Sequence, residues 1–143
     1  MISNVSDALD YQLLLEFRTG VRRFLRWSEE QAAAVGLTPA QHQLLLAVQG
    51  HPDPSGPTVR DVAGYLLQRH HSAVGLIDRA ESAGLVRRIR DDADHRVVRL
   101  RLTALGRRRI EQLSALHLAE LARFAPRLRQ LWAGLDEVVP TSS

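Results

Sequence analysis

Residues 58–103 read TVRDVAGYLLQRHHSAVGLIDRAESAGLVRRIRDDADHRVVRLRLT, and this stretch decides the fold. The Thr58 hydroxyl can accept from the backbone N–H of Asp61, and Asp61 favours a first helical turn, so a short helix is predicted from Val59 to about Leu66. Leu67, Gln68 and Arg69 form a tight connection to a second helix, roughly His70 to Ala83. Gly84 ends it, because glycine takes the left-handed conformation that a helix C-terminus often requires. Two helices joined by a turn of three or four residues make a helix-turn-helix.

Beyond Gly84 the period changes. Leu85 to Arg90 and Arg96 to Leu102 read as two strands around the acidic, turn-prone loop Asp91-Asp92-Ala93-Asp94-His95. Val98, Leu100 and Leu102 fall on one face and Arg99 and Arg101 on the other, the alternation of a half-buried hairpin. Two helices followed by a basic hairpin make a winged helix-turn-helix, whose most direct use is binding duplex DNA. In the second helix Ala73, Leu76, Ile77 and Ala80 share a core side. His70, His71, Ser72, Val74 and Gly75 crowd the N-terminal half of the other side, the part of a recognition helix that reaches base edges. Arg69 stands where a Ser, Thr or Asp would cap best. Either the helix starts uncapped with Arg69 aimed at a phosphate, or Ser72 caps it one turn later.

Leu85-Val86-Arg87-Arg88 after Gly84, then Asp92-Ala93-Asp94-His95-Arg96, then Leu102-Thr103 with Gly106 close behind, resembles the wing signature of MarR-type (multiple-antibiotic-resistance) regulators. The resemblance covers nearly the whole chain, since a long N-terminal helix and two C-terminal helices flank the winged core. It implies a homodimeric transcription regulator, often a repressor released by a small ligand. It also implies an effector such as an aromatic acid, bound between the dimer helices and the winged region. Trp27, His42, Leu46 and Tyr65 are the lining residues chosen by type and placement.

Composition agrees with this reading. The chain of 143 residues is one domain in size, 45% hydrophobic, with no apolar run long enough for a membrane span and no secretory block at its start. A cytoplasmic protein is therefore expected. Cysteine is absent, which excludes disulfides, thiolate metal sites and cysteine-based redox sensing. All 19 basic residues are arginine and the net charge is +3, yet residues 55–109 hold 12 arginines against 6 acids. Charge runs are usually solvated faces, but segregation onto a DNA-reading fold favours phosphate contact.

The flanks read as frame. Asp7 to about Val35 is predicted as one helix, with Leu9, Leu13, Leu14, Phe17, Val21, Phe24, Leu25 and Ser28 in a stripe at helical spacing. That stripe is too long for this small core to cover, so part of it should meet a second subunit. Gly36 stops the helix. Thr38, Pro39 and Gln41 form a capping box for the next one, which carries Leu44, Leu45, Leu46 and Val48 to about Gln49. Residues 50–57 (GHPDPSGP) cannot be helical and form a rigid elbow within the domain. Thr103 caps a helix from Ala104 to Phe124, Pro126 breaks it, and a last helix from near Arg127 to Val138 presents Leu128, Leu131, Trp132, Leu135 and Val138. The first and last helices are the natural dimer interface, and Pro140 to Ser143 is a frayed tail.

The fold class is thus mainly α with a small β-hairpin wing: a winged core at 38–103 flanked by dimerisation helices at 7–35 and 104–138, in one domain. The DNA-contacting residues expected from the sequence are Arg69, His70, His71, Ser72, Val74 and Gly75 on the helix. On the wing they are Arg88, Arg90, Asp94 and Arg96. Arg96 would enter a narrow minor groove, where negative potential is concentrated, and Asp94 would position a neighbouring arginine rather than touch DNA. The partners are a pseudo-palindromic duplex and a second copy of the chain. Adjacent His70 and His71 diverge by about 100° on a helix and do not chelate one ion, so no metal or cofactor is expected. The sequence contains no nucleophile with a neighbouring base and no phosphate-cradling glycine loop, which argues against an enzyme. A winged module that binds protein instead of DNA is the alternative, and the arginines of the hairpin argue against it.

Overall fold

The structure is a computed structural model that describes residues 5–138, with side chains from 11 to 137. The tail at Pro140 to Ser143 and the side chains of Leu9 and Val138 lie outside the described residues. The order is α1 (Val5–Ala34), α2 (Pro39–Gly50), α3 (Val59–Leu66), α4 (His70–Ser82), β1 (Val86–Arg90), β2 (Val98–Leu102) and α5 (Ala104–Val138). The chain divides into two units, one of residues 31–114 (the head) and one of residues 1–30 with 115–143 (the helical unit). Among the described residues no helix is long and apolar enough to cross a membrane.

In the head, local chemistry starts each helix. Thr38 Oγ1 accepts from Gln41 N at 3.1 Å while Gln41 Oε1 accepts from Thr38 N at 3.1 Å. Thr58 and Asp61 repeat this reciprocal box at 3.1 and 3.0 Å, which satisfies two backbone donors that a helix start leaves unpaired. The apolar faces then meet in one core. Leu44, Leu45, Val62, Ile77, Leu100, Ile110 and Leu113 are fully buried, with Ala73, Leu76 and Ala80 of α4 beside them. Each buried leucine or isoleucine contributes about 1.5–3 kcal/mol.

The strands pair antiparallel, Val86 with Leu102, Arg88 with Leu100 and Arg90 with Val98, and Leu100 and Leu102 turn inward as their alternation requires. The hairpin is shorter than its sequence suggests. Arg96 and Val97 belong to the loop, because Val97 N donates to Asp94 O at 2.9 Å and Asp91 N donates to Val97 O at 2.9 Å, closing a turn before the ladder begins. The elbow runs against the far edge of β2, where Leu100 N donates to Pro57 O at 2.8 Å. Gly56 is required there: its φ is +92° and a Cβ would stand 2.1 Å from Leu100 O. Thr103 joins the wing to α5, donating from its hydroxyl to Gly84 O at 2.5 Å and accepting from Gly106 N at 3.0 Å.

The helical unit corrects one expectation. Pro126 does not break the C-terminal helix; α5 is continuous from Ala104 to Val138 with Pro126 inside it. Proline removes one backbone donor and crowds the preceding turn, but contacts beyond it favour continuation. Arg127 pairs with Glu16, Trp132 packs against Phe17 with tilted rings 6.1 Å apart, and Leu131 is buried. Leu128 and Leu131 also line an apolar groove of about 470 Å³ together with Phe17, Val21 and Phe24 of α1.

Candidate nucleic-acid interface

The exposed side of α4 follows from its buried one. With Ala73, Leu76, Ile77 and Ala80 in the core, His70, His71 and Ser72 are exposed and Val74 and Gly75 half-buried, all in the first two turns. Arg69 occupies the N-cap with extended backbone and makes no side-chain cap. Of the two starts open to this helix, the structure adopts the uncapped one, and the first helical bond is Ala73 N to Arg69 O at 3.1 Å.

On the hairpin the arginines sort into two sets. Arg88 donates to Glu81 at 2.7 Å and to Asp78 at 2.6 Å, tying β1 to the end of α4. Burial opposes its charge, yet the two carboxylates outweigh burial and hold its pKa above that of ordinary arginine. Arg99 donates to Asp91 at 2.8 Å and to Gly56 O at 3.0 Å, with Asp53 at 3.7 Å, so one guanidinium joins wing and elbow. The hydrogen bond from Arg99 is the main reason that the Asp91 carboxyl sits below the usual carboxylate range. Asp91 in turn accepts from the N–H of Ala93 and of Asp94 and shapes the wing loop. At the tip Arg96 donates to both oxygens of Asp94 at 3.1 and 3.2 Å, which lowers the Asp94 pKa, while the Arg96 side chain stays almost fully exposed.

Arg87, Arg90 and Arg101 are exposed and carry no carboxylate partner among the described residues, and Arg87 and Arg101 face each other across the strands. Of the wing residues picked from the sequence, Arg90 and Arg96 are open to solvent, Asp94 holds Arg96, and Arg88 is engaged within the protein. The sequence reading also passed over Arg79. It is exposed, and its guanidinium lies over Gly75, with Nη1 3.3 Å from where a Cβ on that glycine would be. The spacing of four between Gly75 and Arg79 could have shown this, because helical side chains lean toward the N-terminus.

Of the four effector candidates, Trp27 belongs to the helical unit and His42, Leu46 and Tyr65 to the head. Trp27, in the helical unit, packs on Phe24 at 5.9 Å and on His117 at 4.8 Å, and His117 is hydrogen-bonded to Ser28 at 2.7 Å. In the head, His42 is buried and Leu46 is exposed on α2. Tyr65 is exposed on α3, with His51 Nδ1 at 2.8 Å from its hydroxyl. The groove of the helical unit is lined by none of the four.

A sequence model of the MarR family matches residues 35–97, from just after α1 to the wing loop. The winged region is thus similar in sequence to the MarR family. The winged fold is the one that solved MarR-family transcription regulators share. It is similar to a MarR family protein from Bacillus stearothermophilus, with 25% identity, 93% of this chain and 98% of that one covered, and a TM-score of 0.69. It is similar in fold to CouR from Rhodococcus jostii, solved with p-coumaroyl-CoA bound, at 24% identity, with 99% of each chain covered and a TM-score of 0.68. A mutant of MepR from Staphylococcus aureus bound to an oligodeoxyribonucleotide shares the fold at 19% identity, with 87% of this chain and 94% of that one covered and a TM-score of 0.64. No curated protein matches the sequence.

Proposed function

We propose that this chain is a MarR-type DNA-binding transcription regulator: a cytoplasmic, homodimeric repressor that reads a pseudo-palindromic operator and is released by a small molecule. The observation that carries the reading is the exposed N-terminal half of α4, which lacks any carboxylate and stands in a stretch, residues 55–109, where 12 arginines outnumber 6 acids. In a two-fold dimer each α4 would lie in the major groove, with half-sites about one helical turn apart. His70, His71, Ser72, Val74 and Gly75 would meet base edges, and Arg69 and Arg90 would meet phosphates. Arg96, steadied by Asp94, would lie in the flanking minor groove. The whole chain acts as one functional domain in this reading.

The dimer is supported by the helical unit, whose Leu14, Leu15, Phe17, Val21, Leu25, Leu116, Leu118 and Leu121 are all exposed in one protomer. So many exposed apolar side chains are unusual on a monomer surface. Selection of sites from random duplexes tests the proposal: one inverted repeat should emerge, with affinity falling steeply as salt rises. An enriched pool with no inverted symmetry would overturn the dimeric reading, and no enrichment would overturn DNA readout and favour a protein-binding wing. If an effector releases the DNA, DNA must weaken effector binding by the same factor. Calorimetry with phenolic acids on free and DNA-bound protein measures that factor. Substituting Trp27, His42, Leu46 and Tyr65 singly tests which of them the effector touches.

A further inference from the structure

On α4, His71, Gly75 and Arg79 follow at intervals of four and share the exposed side, about 6 Å apart along the axis at each step. Gly75 supplies no side chain, and the Arg79 guanidinium occupies the space above it, 3.3 Å from the missing Cβ position. A long cation from the last turn is thereby brought back to the middle of the helix, next to the residues assigned to base edges. Asp78 lies on the same exposed side and Glu81 one turn beyond it. Left uncompensated, both would attract Arg79 and repel phosphate. Both are instead held by Arg88 of β1, at 2.6 and 2.7 Å. Among the described residues Arg79 has no carboxylate partner, so it is the available cation of this helix.

We propose that Arg79 reads a guanine edge of the operator from the floor opened by Gly75, and that Arg88 is a positioning residue that keeps Arg79 available by occupying Asp78 and Glu81. The chemistry suits the base: guanidinium donates two parallel hydrogen bonds to O6 and N7 of guanine, which no other base pair edge offers. The inference rests on the reading that α4 enters the major groove, and the experiment separates the two.

Operator sites are first selected with the wild-type protein, and binding is then measured to the operator, to its single-base variants and to unrelated duplex. Arg79→Ala should lose about ten- to a hundred-fold on the operator, lose preference for G at one position per half-site, and change little on unrelated duplex. Arg79→Lys should discriminate as poorly as Arg79→Ala, because the ammonium lacks the planar fork. Gly75→Ala keeps the charge but displaces the guanidinium, and should lose the same G preference. Equal losses on all duplexes, with a salt slope lower by about 1 per half-site, would make Arg79 a phosphate contact and overturn the proposal.

Arg88→Ala should weaken the operator at least ten-fold, and adding Asp78→Asn and Glu81→Gln in that background should restore affinity to within about threefold. Circular dichroism of each variant separates this from loss of fold, since the triple variant does not regain the tie between β1 and α4. Failure of the triple variant to recover while folded would mean that Arg88 acts on DNA or on the wing directly. Wild-type protein that selects no operator would remove the parent reading along with this one. A selected operator that Arg79→Ala reads unchanged would remove this one alone.

Discussion

The head and the helical unit of the same chain solve burial differently. In the head, nine large side chains are fully buried, two helix starts carry reciprocal caps, and Arg88 and Arg99 tie the wing to α4 and to the elbow. In the helical unit Leu131 is the one buried apolar side chain among the described residues, while Leu118 is 68% and Trp132 56% exposed. A region with its own core can hold a reading surface rigid, whereas a region whose apolar faces lie open needs another surface to complete it. On the proposed reading, DNA readout and assembly draw on separate stocks of side chains, so each should be breakable with the other left standing.

The largest break should come from the core of the head. Leu100→Ala removes a fully buried side chain and should cost about 2–5 kcal/mol in urea unfolding, whatever the protein concentration. Leu131→Ala should instead give a loss that depends on concentration, because its surroundings are completed by association. Equal, concentration-independent losses at both positions would erase the contrast. Next in size is the open face: Leu118→Glu combined with Leu25→Glu should weaken self-association at least a hundred-fold, about 2.7 kcal/mol, by sedimentation equilibrium. The head should keep its fold. A variant that stays dimeric at micromolar concentration would show that these faces are not the interface.

Acid should sharpen the comparison further, since Asp53, Asp61, Asp91 and Asp94 of the head all sit below the ordinary carboxylate range. A carboxylate depressed in the folded state stabilises at neutral pH, and that contribution is lost as pH falls through the unfolded value, about 3.9, toward the folded one. Unfolding of the head should therefore vary little between pH 7 and about 5 and fall below that, with a shallower fall in Asp91→Asn. An acid slope unchanged by that substitution would deny the Asp91–Arg99 pair its part in holding the wing. The smallest effect is expected at Leu67, a 93% exposed leucine at φ +53° in the turn between α3 and α4. Leu67→Gly should raise stability by about 0.5–1 kcal/mol, the left-handed strain relieved exceeding the added freedom of the unfolded chain. A loss on substitution would mean that the leucine side chain is itself a contact.

What the sequence determined by itself was whatever depends on neighbours within a turn or a strand. Thr38 with Gln41 and Thr58 with Asp61 are caps three residues apart, the core stripe of α4 follows its own period, and the inward face of β2 follows from simple alternation. The helix-turn-helix, the wing and the family resemblance were all legible on these grounds. Tertiary structure decided what depends on groups distant in the chain. Arg99 finds Gly56, 43 residues away, and α5 passes through Pro126 alongside contacts to Glu16 and Phe17 that no local propensity contains. The same holds for the division of the wing arginines. Arg87 and Arg88 are adjacent and chemically identical, but strand alternation turns one outward and the other toward the two carboxylates of α4. Composition counts both as positive charge, and only the fold determines which of them is already neutralised.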